Sequence, residues 1–429
     1  MNRILATYLK HLLVFGDLTV TDSDGGVTRW GDGTGDPVHL RFNTAAAERG
    51  VAINPGLKFG EAYMNGGVDI TEGTIFDMLA LVFRNAGNKA QNEPWMRAIA
   101  RLRLIYRRVI QNNTPQRARR NVKHHYDLSS ELYDLFLDVD RQYSCAYFDR
   151  PGVGLDEAQL AKKRHIAAKL AFDRPGLKTL DIGCGWGGMG LYLARHLEAD
   201  VTGITLSDEQ LGIARSRADE AGLSDHLRFE IADYRDTAGP FDRIVSVGMF
   251  EHVGVDFYDD YFRQCARLLD EDGVMLLHTI GRWDEPANTN AFINKYIFPG
   301  GYLPSLSQIA HSVERAGLII SDVEVLRLHY AETIRHWRDR FAARRDEAKA
   351  LYDERFCRMW EFYLAASETA FRWQDCVVFQ VQLTRKVDTL PITRDYMLEA
   401  EARLRELERR DTVRPIAAER TEMERQAAE

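Results

Sequence analysis

The run Leu180-Asp-Ile-Gly-Cys-Gly-Trp-Gly-Gly188 places a glycine-rich turn between a strand-length apolar stretch and a helical one. Glycine backbones take positive φ and approach a ligand closely, while the helix that follows presents free N–H groups at its start. Such a turn reads as a cofactor site, and a dinucleotide is one candidate. The dinucleotide fingerprint asks for GxGxxG and an acidic residue about twenty positions on, at the end of the second strand. Here the glycines stand at Gly183, Gly185, Gly187 and Gly188, and the second strand ends in Thr205-Leu-Ser207 with Gln210 just beyond. Ribose recognition would then fall to amide and hydroxyl groups.

Four further residues have types that could do chemistry. Glu251 follows a strand pattern, where a loop acid is either solvated or functional. His278 ends another strand and on spacing alone reads first as a satisfied core histidine, with a functional role as the alternative. Cys145 reads as a small buried hydrophobe or a thiol, and Tyr330 as a packing residue at a helix start. The elements that must position them alternate. Thr179–Ile182, Ala199–Thr205, Arg228–Ile231, Arg243–Val247 and Gly273–His278 read as strands, with helices after Gly188 and Ser207. Asp375–Leu383 reads as a closing strand. This alternation predicts a parallel α/β sheet with helices on both faces. The first hundred residues instead carry dense turn signals (Asp24-Gly-Gly26, Gly31-Asp-Gly33, Gly35-Asp-Pro37, Asn65-Gly-Gly67) around short alternating stretches, Leu18–Thr21 and Val38–Phe42. They predict a smaller α+β domain.

With 429 residues the chain is long enough for more than one domain, and its apolar runs are far shorter than a membrane span. The segment from Ile4 to Phe15 reads as an amphipathic helix, not a secretion signal. Five spaced cysteines without metal-ligand spacing predict reduced thiols, a cytoplasmic protein and no bound metal. A net charge of −8 argues against nucleic-acid binding. Charge is uneven, however: nine basic residues and no acidic one lie from Arg97 to Lys123. Trp95, Ile99, Leu102, Tyr106 and Val109 form one apolar stripe through that stretch, closed by Asn112-Asn-Thr-Pro115. An amphipathic arginine-rich helix suits an anionic membrane surface, against the plainer reading of a solvated face and linker. The expected domains are 1–112 (lipid docking or dimer contacts, so that a homodimer is one expected state), a basic linker at 113–123, a main domain at 124–396, and a solvated, charged helical tail at 397–429.

Six ordered motifs resemble the cyclopropane fatty acid synthase family, whose members are S-adenosylmethionine-dependent class I methyltransferases. They are Tyr143-Ser-Cys-Ala-Tyr-Phe148, Asp181-Ile-Gly-Cys-Gly-Trp-Gly187, Val201-Thr-Gly-Ile-Thr-Leu-Ser207, Gly248-Met-Phe-Glu-His-Val-Gly254, Leu277-His-Thr-Ile-Gly281 and Tyr296-Ile-Phe-Pro-Gly-Gly301. The match runs from about Val122 to Leu383, and Gly60-Glu-Ala-Tyr-Met64 resembles the extra domain of the phospholipid-acting branch. Asp181 before the turn suits methyltransferases better than dehydrogenases. The resemblance implies a Rossmann-like sheet and S-adenosylmethionine held by Tyr143, Ser144, Asp181, Gly183, Cys184, Gly185, Trp186, Gly187, Gly188, Thr205, Leu206, Ser207 and Gln210. Asp233, Tyr234 and Arg235 would stand beside the adenine. It also implies a bicarbonate ion acting as base, held by Cys145, Glu251, His278, Ile280 (through its backbone) and Tyr330. The implied partners are membrane phospholipids with unsaturated acyl chains, met at the inner face of the membrane. A late cysteine common in the family aligns with Ser367, so a protein nucleophile is not expected. Trp337, Trp360, Phe362, Tyr363, Phe371 and Trp373 divide between core and acyl-channel lining.

Overall fold

The computed structural model describes residues 1–86, 129–287 and 289–426, with side chains placed as far as Asp411. The basic stretch 97–123 and its apolar stripe lie outside the described residues.

The N-terminal unit runs α1 (Arg3–Leu12), β1 (Asp17–Thr21), β2 (Val27–Trp30), β3 (Pro37–Phe42), α2 (Ala45–Ile53), α3 (Pro55–Met64), β4 (Val68–Glu72) and α4 (Ile75–Ala86). Its sheet has the order β2-β1-β3-β4, with β1 and β3 parallel. Alternation along β3 buries Val38, Leu40 and Phe42 against Leu5 and Leu9 of α1 and Met78 of α4.

The larger unit continues with α5 (Ser130–Asp134), α6 (Leu155–Lys169), β5 (Lys178–Ile182), α7 (Gly188–Leu197), β6 (Asp200–Thr205), α8 (Asp208–Glu220), β7 (Leu227–Ile231) and β8 (Phe241–Val247). Then follow α9 (Tyr258–Leu268), β9 (Leu269–Arg282), α10 (Ala291–Tyr296), α11 (Leu306–Arg315), β10 (Ile319–Val325), α12 (His329–Ala343), α13 (Arg345–Leu351), α14 (Glu354–Trp373), β11 (Cys376–Thr384) and α15 (Asp395–Gln426). The seven strands lie in the order β10-β11-β9-β8-β5-β6-β7. Adjacent strands from β9 to β7 pair parallel, whereas β11 runs antiparallel to both its neighbours. Strand β5 is buried on both faces, Leu180 and Ile182 on one and Thr179 and Asp181 on the other, as a central parallel strand requires. Among the described residues no helix is long and apolar enough to cross a membrane.

Two expectations change. The segment beyond Tyr396 is helical, but its first turns dock. Met397, Ala400 and Leu404 are buried, and Glu401 and Glu408 bond His165 and Tyr192. The dense Glu/Arg mixture hid a heptad-like apolar stripe. The strand around Gly273–His278 runs on to Arg282, where its N–H meets Pro304 O at 2.8 Å.

The two units meet along the Gly60–Met64 motif. A Cβ on Gly60 would stand 2.5 Å from Phe292 and 2.7 Å from Phe362, so only a glycine lets α3 come this close. Glu61 accepts from Lys295 Nζ at 2.6 Å, Tyr296 OH at 2.9 Å and Lys58 Nζ at 2.7 Å. Desolvation pushes its carboxyl up, but these three donors outweigh it and hold the pKa down at about 2. From α14, Arg358 donates to Tyr63 O and Val68 O, pairs with Asp69 at 2.9 Å, and lies 4.3 Å from the Tyr63 ring centroid. Arg358→Ala strands two carbonyls and a carboxylate. It is expected to cost about 2–4 kcal/mol, read as a lower midpoint in chemical denaturation, with Arg358→Lys falling between.

Candidate active site

Parallel strands deliver their loops to one edge of the sheet, and the chemistry collects there. Two joined cavities occupy the carboxyl ends of the central strands. The first, about 1270 Å³, is lined by the β5–α7 turn, Ile204 to Leu206 at the end of β6, Ala232 to Arg235 after β7, and Val247 to Met249 after β8. The second, about 710 Å³, is lined by Cys145, Glu251, His278, Ile280, Ile293, Phe298, Leu303 and Tyr330. Tyr143, Ser144, Gly248 and His252 line both, so they form the shared wall.

In the first cavity the turn presents backbone. Gly185 has φ +55° and open space where a Cβ would be, which leaves room for a ligand against the chain. Thr205 donates its hydroxyl to Gln210 Oε1 at 2.9 Å, orienting the amide so that its NH₂ is the group offered to the cavity. Asp233 is gripped by Arg235 through Nε at 2.8 Å and Nη2 at 2.5 Å, which fixes that loop. Asp181 is buried, with Oδ2 lacking a hydrogen-bond partner among the described residues. Burial raises its carboxyl to about 7, against the opposing pull of Lys162 and the Gly190 N–H. Tyr143, Ser144, Cys184, Trp186, Leu206 and Tyr234 also line this cavity.

Three expected cofactor residues do not line it. A Cβ on Gly187 would meet Phe229 at 2.7 Å, and one on Gly188 would meet Gln142 at 2.2 Å and Asp140 at 2.5 Å. Those glycines serve close packing of the turn on β7 and on the 138–142 loop. Ser207 caps α8, its Oγ accepting the Gln210 N–H at 3.3 Å.

In the second cavity Glu251 sits in a short 3₁₀ turn, Phe250–His252, after β8. Its Oε1 accepts the Ile280 N–H at 2.6 Å, so the backbone group expected to reach a bound ion already holds a carboxyl. Oε2 is buried and has no partner among the described residues. Desolvation raises this carboxyl to about 7, partly offset by the Ile280 amide, its own amide and the Thr279 hydroxyl. His278 is buried and its pKa is driven well below the usual imidazole value, by desolvation first and then by Lys162, Lys169 and His165. Its Nε2 likewise has no partner among the described residues. Burial pushes the Cys145 thiol up, and Sγ lies 3.3 Å from Ala146 O, so this residue is a neutral thiol. Tyr330 stands in the first turn of α12 with its ring 4.8 Å from Phe371. Ser367, on α14, lines neither cavity.

Sequence reasoning missed Lys162, Gln142 and the apolar lining. Lys162, fully buried on α6, donates to Gln142 Oε1 at 2.5 Å and Ser144 Oγ at 2.8 Å and so pins the shared wall. Its neighbours Lys163, Arg164 and His165 disguise it as part of a solvated helix face. Met249 and His252 were visible inside the Gly248–Gly254 motif. Of the six aromatics, Trp337 and Trp360 are wholly core, and Tyr363 reaches Tyr143, hydroxyl to hydroxyl, at 2.8 Å.

The strand order and the ligand-sized space at its carboxyl edge define a class I S-adenosylmethionine-dependent methyltransferase. The crystal structure of coclaurine N-methyltransferase, 20% identical, superposes with a TM-score of 0.63 over 76% of this chain and 99% of that one, which speaks for the fold. The sequence profile of the mycolic acid cyclopropane synthetase family matches residues 113–381, and the chain belongs to that family. Residues 4–94 match a domain of unknown function. Cyclopropane-fatty-acyl-phospholipid synthase of Escherichia coli is 39% identical over 352 residues, 82% of this chain and 89% of that protein. Tuberculostearic acid methyltransferase UfaA1 of Mycobacterium tuberculosis is 35% identical over 401 residues, 90% of this chain and 91% of that one. The crystal structure of mycolic acid cyclopropane synthase CmaA1 complexed with SAH and CTAB is 35% identical, with a TM-score of 0.59 over 62% of this chain and 97% of that one.

Two buried carboxyls with raised pKa make stability depend on pH. A carboxyl raised on folding stabilises fully below its unfolded pKa, near 4.5 for Glu251, and loses that contribution as pH rises through about 7. Glu251→Gln is therefore expected to flatten the decline of unfolding free energy between pH 4.5 and 7.5 by about 3 kcal/mol, measured by denaturant titration of both proteins across that range.

Proposed function

We propose that this chain transfers a methyl group from S-adenosylmethionine to the cis double bond of a phospholipid acyl chain and closes a cyclopropane ring. The observation that carries the reading is the second cavity. It combines an apolar wall of Ile280, Ile293, Phe298 and Leu303 with two buried polar atoms, Glu251 Oε2 and His278 Nε2, that lack partners among the described residues. The likeness to a cyclopropane-fatty-acyl-phospholipid synthase, a fatty acid methyltransferase and a cyclopropane mycolic acid synthase supports a lipid substrate.

The π electrons of the alkene would take the methyl group as its bond to the sulfonium sulfur breaks and leaves a neutral thioether, and one proton would then pass from that carbon to a base as the ring closes. Bicarbonate, when bound, would supply the base. The donor set suits it: neutral His278 and Tyr330 can donate to an anion, and Glu251 Oε2 can accept the hydroxyl that the ion carries. Glu251 in turn is oriented by the Ile280 amide. Apolar side chains exclude water from the developing cation, and Tyr143, Ser144, Gly248 and His252 bring the two reactants to a common wall. A thiol as neutral as Cys145 offers no competing nucleophile.

A second reading is methyl or methylene branching from the same cation, favoured by the likeness to a tuberculostearic acid methyltransferase over nine-tenths of the chain. Expression in a host lacking such enzymes, with chromatography and mass spectrometry of the acyl chains, separates the products. Glu251→Ala is expected to lower turnover about 10²–10³-fold while S-adenosylmethionine affinity by calorimetry stays near normal. Activity should fall when carbonate is stripped from the buffer and return on adding bicarbonate, and Ser367→Ala should change little. A dead Ser367→Ala beside an active, bicarbonate-indifferent Glu251→Ala would overturn this mechanism.

The proposal places the enzyme peripherally on the inner, anionic face of the membrane, with residues 97–123 as the docking element. Sedimentation with vesicles should show salt-sensitive binding that is stronger on anionic than on neutral lipid, since surface charges are screened over about 10 Å at 0.1 M salt. Equal binding to both would remove the electrostatic part.

A further inference from the structure

Strand β11 carries a polar side chain where its pattern calls for an apolar one. Val377, Val378, Phe379, Val381 and Leu383 are buried, and between them Gln380 is wholly buried too. Burying an amide without full hydrogen bonding costs about 1–3 kcal/mol, a cost that a leucine or methionine would avoid. Gln382, two residues on, repays its burial structurally, reaching Lys169 O and the Tyr396 hydroxyl. Gln380 does not: its Oε1 has no partner among the described residues, and its Nε2 lies 3.2 Å from His278 Nδ1. The antiparallel register sets Gln380 directly across from His278, so both side chains leave the sheet on one face.

We propose that Gln380 is a positioning residue that fixes the tautomer of His278, its amide N–H holding Nδ1 as an acceptor so that the ring proton stays on Nε2. This rests on the proposed function, in which Nε2 must donate to an anion. The opposite tautomer would turn the Nε2 lone pair toward the anion, setting two acceptors against each other. Burial and the positive charges of Lys162 and Lys169 keep the ring neutral, so the choice of tautomer is a real one.

The test uses the full chain, labelled with ¹⁵N-histidine, in which two-bond correlation spectra report which ring nitrogen of His278 carries the proton. Unaltered protein should show the proton on Nε2. Gln380→Glu, nearly isosteric, should move it to Nδ1, which then donates to the new carboxylate, and Gln380→Leu should leave a mixture. Both variants should lose kcat about 10–100-fold, as outer partners of working imidazoles do, with KM for the lipid and affinity for S-adenosylmethionine little changed. A proton on Nδ1 in the unaltered protein, or full turnover in both variants, would overturn the assignment. Should Gln380→Leu fail to fold, Gln380→Glu carries the comparison. If the unaltered enzyme modifies no unsaturated lipid, the proposed function falls, while the nitrogen spectra still decide for or against Gln380.

Discussion

A carboxyl buried in a largely apolar cavity must be held by something, and here the Ile280 amide holds Glu251. Much of the larger unit follows from that contact. Strand β9 has to run past His278 to put Ile280 at the right height, which is why it extends to Arg282, where Asp284 and Asp375 anchor the arginine. Strand β11 must then cover β9 along that whole length, and its pairing does so from Val274 to Arg282. The 3₁₀ turn that carries Glu251 is fixed in turn by Tyr302, whose N–H donates to the Glu251 carbonyl at 3.0 Å. The energetic cost of an unpaired oxygen is met by stiffening everything around it.

The wall between the cavities is built differently, from polar contacts beneath the surface. Asp138 receives the N–H groups of Asp140 and Gln142, turning the 138–142 loop tightly over Gly188. Lys163 and Arg217 pair with Asp140, and Arg217 also reaches Trp186 O at 2.6 Å. Lys162 finishes the arrangement from below. Basic residues of two helices, Lys162 and Lys163 of α6 and Arg217 of α8, thus hold a loop and a glycine turn in contact, each with its partners inside the fold.

The alternating strands and the glycine-rich turn were legible because both rest on short-range rules: period-two burial and the space a backbone needs beside a ligand. Strands β2 and β4 were not called, being short and half-exposed, and β10 escaped because Ser321, Asp322 and Glu324 break its apolar run. At the site, the ordered motifs carry a readable signal, whereas the packing of Gly187 on Phe229, the packing of Gly188 on Asp140 and the capping of α8 by Ser207 are jobs that the motifs alone do not announce. Residues of one motif need not share one job. Lys162 and Gln380 carried no local signal, because their meaning lies in a partner on another element far along the chain. The docking of α15 was concealed for the same reason: Leu404 is buried by α6 and α7, not by anything in its own neighbourhood.

Helix α14 has twenty residues, about 30 Å, and two clients. Arg355, Arg358 and Glu361 bind the N-terminal unit, while Tyr363 and Phe371 touch Tyr143 and Tyr330 at the cavities. Phe362 packs on Phe59 and on Phe292 of α10, next to the Ile293 that lines the second cavity. A seam built this way is not a detachable joint. Anyone grafting the N-terminal unit onto another catalytic domain would have to carry one whole face of α14, together with α10, and would rebuild the substrate chamber in doing so. The boundary between recruiting a surface and shaping a reaction runs through the middle of a single helix.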